Sequence, residues 1–166
     1  MRAIPAAALL LALSSPLVTV SAEPTKLRTR EAMALAQALR SLDGRQQVVK
    51  VNGQDTLVTV PWEFGSGSLR LRIANNLAIL TGVEQHLTTI RAQIFREVTR
   101  GGTQTELQPG SPEFAAYMSQ FEDALNQPAP GTQDLARIKA SELRLDRNEI
   151  APSVLEALRP ILDTDQ

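Results

Sequence analysis

Asn52-Gly53 stands between two β-branched segments, residues 47–51 and 56–60, and no other stretch of the chain limits its own conformation so sharply. Asparagine and glycine readily take positive φ at both centres of a tight turn, and a turn of that kind matches the right-handed twist of the strands it joins. A β-hairpin over about residues 47–60 follows. Whether its loop has two residues or four, Val49, Val51, Thr56, Val58 and Val60 share one face, because the two registers differ by an even step. That face needs cover, and helices are expected to supply it.

Helical patterns lie on both sides of the hairpin. Thr29 is placed to cap a helix with Ala32, Leu35, Leu39 and Leu42 on one stripe, and Asp43-Gly44 ends it with a residue able to take positive φ. Beyond Pro61-Trp62-Glu63-Phe64 and Gly65-Ser66-Gly67-Ser68, Leu69, Ile73, Leu77 and Leu80 predict a second helix that stops near Thr81-Gly82. Thr81 and Glu84 have capping-box spacing, so Val83, Leu87, Ile90, Ile94 and Val98 are expected on a third helix, antiparallel to the second. Ser111 then caps, Pro112 takes the first helical position, and Phe114, Tyr117, Met118, Phe121 and Leu125 line a fourth helix as core.

After the breaker cluster Gln127-Pro128-Ala129-Pro130-Gly131, residues 135–139 alternate well enough for a third strand beside the hairpin, and residues 153–158 read as a short helix limited by Pro160. The order is neither repeated βαβ units nor a pure bundle. The fold class is therefore α+β, with amphipathic helices packed on a small antiparallel sheet built around the hairpin.

The first 22 residues read as an export signal. Arg2 precedes an apolar run from Ala6 to Leu13, Ser14-Ser15-Pro16 breaks it, and Val20-Ser21-Ala22 has the small-residue cleavage pattern, placing the mature start at Glu23. Residues 23–166 then form a single α+β domain. The run is shorter than the roughly 20 residues that span a bilayer, so no transmembrane anchor is expected after cleavage, and the destination is periplasmic or secreted. The chain has no cysteine, which removes disulfides, thiolate metal sites and thiol catalysis. Its core must hold it together unaided. Lys and Arg number 17 against 18 Asp and Glu, a balance that gives nucleic acid no basic surplus to bind, so no nucleic-acid partner is expected.

Chemistry is sparse. Triads and most zinc sites need histidine or cysteine, and His86 alone is present; it reads as a partly buried helix histidine with one satisfied nitrogen. No catalytic residue set, metal site or cofactor is visible, which argues against an enzyme. Gly65-Ser66-Gly67-Ser68 ahead of a helix carrying Arg70 and Arg72 resembles an anion site, because exposed N–H groups at a helix start favour negative charge. It completes neither the dinucleotide fingerprint nor the phosphate loop, since Arg70 stands where a third glycine belongs and no Gly-Lys-Ser/Thr follows. Trp62 beside it is a candidate stacking residue or a packing plug. Arg91, Arg96 and Arg100 could extend Arg70 and Arg72 into one basic strip, although a solvated face including Glu97 is simpler. The carboxylates at Glu122, Asp123, Asp134, Glu142, Asp146, Glu149, Asp163 and Asp165 match no calcium loop and read as surface acids.

Ala38-Leu39 followed by Leu42-Asp43-Gly44, the strands ending at Phe64-Gly65, residues 71–77 and residues 155–162 together resemble small proteins of unassigned role from tailed-phage and prophage gene clusters, over residues 27–162. The resemblance brings no catalytic residue and no cofactor. It implies a phage-derived structural or accessory role in the cytoplasm, as an alternative to the exported, non-enzymatic domain acting through protein contacts that the leader implies. A small anionic-ligand binder using the Gly65 to Arg72 loop is the third reading. The amphipathic stripes are also compatible with a homodimer, because such a face buries equally well against a second copy.

Overall fold

The computed structural model describes residues 26–102 and 105–163, so the expected leader and cleavage site, and Asp165 among the acids, lie outside the described residues. In chain order the elements are α1 (Thr29–Ser41), β1 (Arg45–Val51), β2 (Gln54–Val60), α2 (Gly67–Val98), α3 (Pro112–Asn126), β3 (Ile138–Lys139), α4 (Pro152–Leu158) and β4 (Leu162–Asp163). The architecture is α+β, four helices with an antiparallel β1–β2 hairpin.

The long α2 replaces the expected pair of helices. Its buried residues Leu69, Ile73, Asn76, Leu80, Val83 and Leu87 recur at alternating steps of four and three, and Ile94 follows two turns on, so the stripe runs past Gly82 in phase. A break at Gly82 would throw the second half of that stripe off the first. The loss of one flexible glycine's entropy, about 1 kcal/mol, is small beside the apolar burial on either side. The local stop signal is used otherwise: Thr81 Oγ1 donates back to the Leu77 carbonyl at 2.8 Å, and Glu84, instead of boxing Thr81, accepts two bonds from Arg40 at 2.7 and 2.6 Å. The helix ends where Arg100 and Gly101 take φ of 51° and 70°, and Gly101 N–H returns to the Arg96 carbonyl.

Helix α1 packs between α2 and α4. Leu35, Leu39 and Leu42 are completely or almost completely buried, against Leu69 and Leu80 of α2 and Leu143, Leu158 and Ile161 of the C-terminal region, in one continuous core. Each such side chain contributes roughly 1.5–3 kcal/mol of transfer free energy. Thr29 does not cap. Its hydroxyl and its N–H both donate to the Gln127 carbonyl, and the free end of α1 is met instead by Glu31 Oε2 accepting from Arg28 N–H at 2.8 Å. The proline-rich segment after α3 is thereby fastened to the start of α1, where Ala129 N–H also donates to the Leu27 carbonyl. Ser111 does cap α3, accepting from Phe114 N–H at 3.1 Å.

The hairpin register is the expected one, with Val49 opposite Thr56 and Val51 opposite Gln54 across the Asn52-Gly53 turn, whose φ values are 52° and 82°. Its layering differs. Among the described residues no helix packs over either face; Val49, Val58 and Val60 are half-buried and the remaining strand residues are exposed. Cover is confined to the base, where Gly44 comes so close that a Cβ would stand 2.7 Å from Thr59 Cγ2 and from the Val60 carbonyl. Gly44 therefore serves close approach rather than the positive φ expected of it. The third strand does not join the hairpin: Ile138 and Lys139 pair in parallel with Leu162 and Asp163 in a separate two-stranded sheet, because α4 and the turn at Arg159–Ile161 return the chain alongside them. Among the described residues no helix is long and apolar enough to cross a membrane.

Candidate functional site

The segment Trp62 to Arg72 joins hairpin to α2, and it forms a built junction rather than an open loop. Gly65 N–H donates to the Glu142 carbonyl at 2.9 Å, Ser66 Oγ donates to Glu142 Oε1 at 3.1 Å, and Ser66 and Ser68 hydroxyls bond each other at 2.7 Å. Arg72 pairs with the same carboxylate and donates to the Arg137 carbonyl at 3.1 Å. An anion does sit at this helix start, and it is Glu142 of the chain itself. Burial pushes the Glu142 carboxyl up, but Arg72, the Lys139 N–H and Ser66 more than reverse this and hold it below the ordinary carboxylate value. The anion-binding capacity of this helix start is thus met internally, by Glu142. Gly67 has open space around it.

Trp62 and Arg70 point elsewhere. The Trp62 ring is half-buried, its Nε1–H donates to the Ser41 carbonyl at 3.1 Å, and the Arg45 guanidinium lies 6.0 Å from its centroid. It plugs the corner between α1 and the hairpin base. Arg70 lies 5.9 Å over the Phe64 ring and borders a cavity of about 380 Å³ with Leu39, Asp43, Ile73 and Leu77. The structure therefore joins Ser66, Ser68 and Arg72 around Glu142 and separates them from Trp62 and Arg70.

One further expectation is corrected, and the less simple of the two readings of the arginines is not met. His86 is exposed rather than partly buried, because it lies just off the Val83–Leu87 stripe. Arg70 and Arg91 are some 31 Å apart along α2 at about 1.5 Å per residue, and Arg72 is committed to Glu142, so the arginines make no single basic strip. Glu122 pairs with Arg30, and Asp146 lies 3.6 Å from Arg144, which agrees with surface acids at these two, whereas Glu142, read as another, is half-buried because Ser66, Arg72 and the Lys139 N–H enclose it; among the described residues no group of acids and histidine could hold a metal ion.

Sequence reasoning passed over two buried amides. Asn76, fully buried, accepts from Ala136 N–H at 2.8 Å and donates to the Ala136 carbonyl at 2.9 Å. Asn148 does the same for Glu63, at 3.1 and 3.0 Å, and also donates to the Leu143 carbonyl. A polar residue standing on the 69–73–76–80 stripe was the available signal for the first. The α3 aromatics are likewise not core: Tyr117 alone is buried, Phe114 and Phe121 are half-buried, and Met118 is exposed.

The hairpin exposes large apolar side chains on both of its faces, Val48 and Leu57 on one and Val51 on the other. Val48 and Leu57 are cross-strand neighbours, 61% and 64% exposed, and Val51 is 47% exposed. Comparisons with protein-family models, with curated proteins and with solved structures returned no match.

Proposed function

We propose that this chain is an exported, non-enzymatic α+β domain that acts through protein contacts made by its hairpin, and that the contact is with a second copy. The single observation that carries this reading is the uncovered hairpin. A two-stranded ribbon is marginal in water unless a third strand or another layer covers it, and among the described residues no helix does so. Both strands have an open edge, but they differ in character. The outward-pointing backbone groups of β1 include those of Lys50, a residue that commonly guards edges, whereas β2 has neither lysine nor proline from Gln54 to Val60.

The sequence of β2 suits pairing with itself. With Val51 and Gln54 flanking a two-residue turn, Asp55, Leu57 and Thr59 are the residues whose backbone groups face outward. A two-fold axis at Leu57 sets Leu57 against its copy, Thr56 against Val58 and Asp55 against Thr59, so no like charges meet and the result is a four-stranded sheet.

Export rests on residues 1–22. The N-terminal residue of the protein from its native cells tests it: a chain beginning at Glu23 outside the cytoplasm supports the reading, and an unprocessed cytoplasmic chain favours the phage-like accessory role. The anionic-ligand reading at Gly65 to Arg72 has less support, since any external anion must displace Glu142 from Ser66 and Arg72.

A further inference from the structure

At 32 residues α2 is about 48 Å long, more than twice the length of the 13-residue α1 that covers its first half. Beyond Leu87 the helix outruns the main core, and among the described residues α3 packs beside it. That cover is incomplete. Between the two helices lies a cleft of about 830 Å³, with Phe95 on α2, Phe114 and Tyr117 on α3, and Leu107 on the loop that joins them. Its volume falls within the roughly 300–1,000 Å³ of small-molecule sites.

Two cations border this apolar space, Arg91 and Arg96, and neither forms an ion pair among the described residues. Arg91 is held in place: its Nε–H donates to the Tyr117 hydroxyl at 2.8 Å, which leaves its two terminal nitrogens, the fork that fits a carboxylate, without a partner there. Arg96 spends only its Nε–H, on the Ala92 carbonyl at 3.3 Å. Glu106 also borders the cleft and lies within ion-pair distance of neither. The walls along α2 run from Thr88 to Arg96, about 12 Å, and residues 105–107 with Pro109 line a further side, a shape suited to a compact molecule rather than a docked helix.

We infer that this cleft binds a small anionic amphiphile, an aliphatic or aromatic carboxylate whose body lies on Phe95, Phe114 and Leu107 and whose head is taken by Arg91. The site is remote from the hairpin and independent of the role proposed for it.

The test is isothermal titration calorimetry of the protein with decanoate, below micelle formation, and with decanol as the neutral body of equal length. Decanoate is expected to bind saturably at one per chain. Arg91→Gln should weaken it about tenfold or more, the range for a hydrogen bond to a charged group, and leave decanol unchanged. Ala92→Trp, an exposed helix position whose enlargement fills the cleft without touching the core, should abolish both, and Leu57→Lys on the hairpin should alter neither. Absence of saturable decanoate binding overturns the inference, as does binding that survives Ala92→Trp or ignores Arg91→Gln. A fall in molar mass on Ala92→Trp, read by light scattering, would make the cleft an interface between copies and also overturn it.

Discussion

The side-chain amide of Asn76 grips both backbone polar groups of Ala136, its oxygen taking the N–H and its nitrogen giving to the carbonyl, from the middle of the apolar stripe of α2. The amide stands in for a neighbouring strand, and so the irregular segment after the Pro128 cluster crosses the buried helix with its backbone satisfied. Asn76→Leu keeps the volume but strands two backbone groups, and should cost about 2–4 kcal/mol in urea unfolding, the desolvation of an unpaired donor and an unpaired acceptor. A cost below about 1 kcal/mol would mean that the clamp does not form.

Gly82 offers the opposite experiment. It sits inside α2 with nothing near the position of a Cβ, so Gly82→Ala should raise stability by about 0.5–1 kcal/mol. If two helices met there, as Thr81-Gly82 suggests in isolation, the substitution would instead be neutral or harmful. Thermal unfolding of the pair distinguishes these.

Gly44→Ala should act locally and harmfully. A methyl group there meets Thr59 Cγ2 and the Val60 carbonyl at 2.7 Å, and the backbone of one of the two must move. A loss of about 1–3 kcal/mol is expected, with faster amide exchange concentrated in β1 and β2.

The pH dependence follows from two carboxylates. Arg40 lowers Glu84, and Arg72, Lys139 N–H and Ser66 together outweigh burial to lower Glu142. A carboxylate lowered in the folded state contributes stability above its unfolded value, near 4.5, and loses it as the pH falls through the folded value. Unfolding free energy should therefore be level above about pH 6 and decline below about pH 5. Glu142→Gln should lower the plateau and make the decline shallower; an unchanged slope would show that Glu142 is not held by Arg72.

These outcomes separate what was legible in the chain from what was not. The Asn52-Gly53 turn, the α1 stripe and the Ser111-Pro112 helix start are decided by residues within a few positions of each other, and each formed as read. The break at Thr81-Gly82 was a local signal too, but the phase of a stripe seven buried residues long decided against it. Asn76 and Asn148 find their partners 60 and 85 residues away, and Glu142 reaches Ser66 across 76, separations that no spacing rule reports. The anion-friendly character of Gly65 to Arg72 was legible; that the chain brings its own anion there was not. The hairpin valines predict a helical cover, but cover depends on where distant helices pack, and among the described residues none lies over them.

Leu57 provides the most direct test of that reading. Because it is 64% exposed, Leu57→Lys should change stability by no more than about 0.5 kcal/mol, yet it places two like charges face to face on the proposed two-fold axis. Multi-angle light scattering at micromolar concentration should give the wild-type protein twice the mass of a single chain and the variant that of one. A wild-type protein with the mass of one chain, or a dimer that survives Leu57→Lys, would contradict the account.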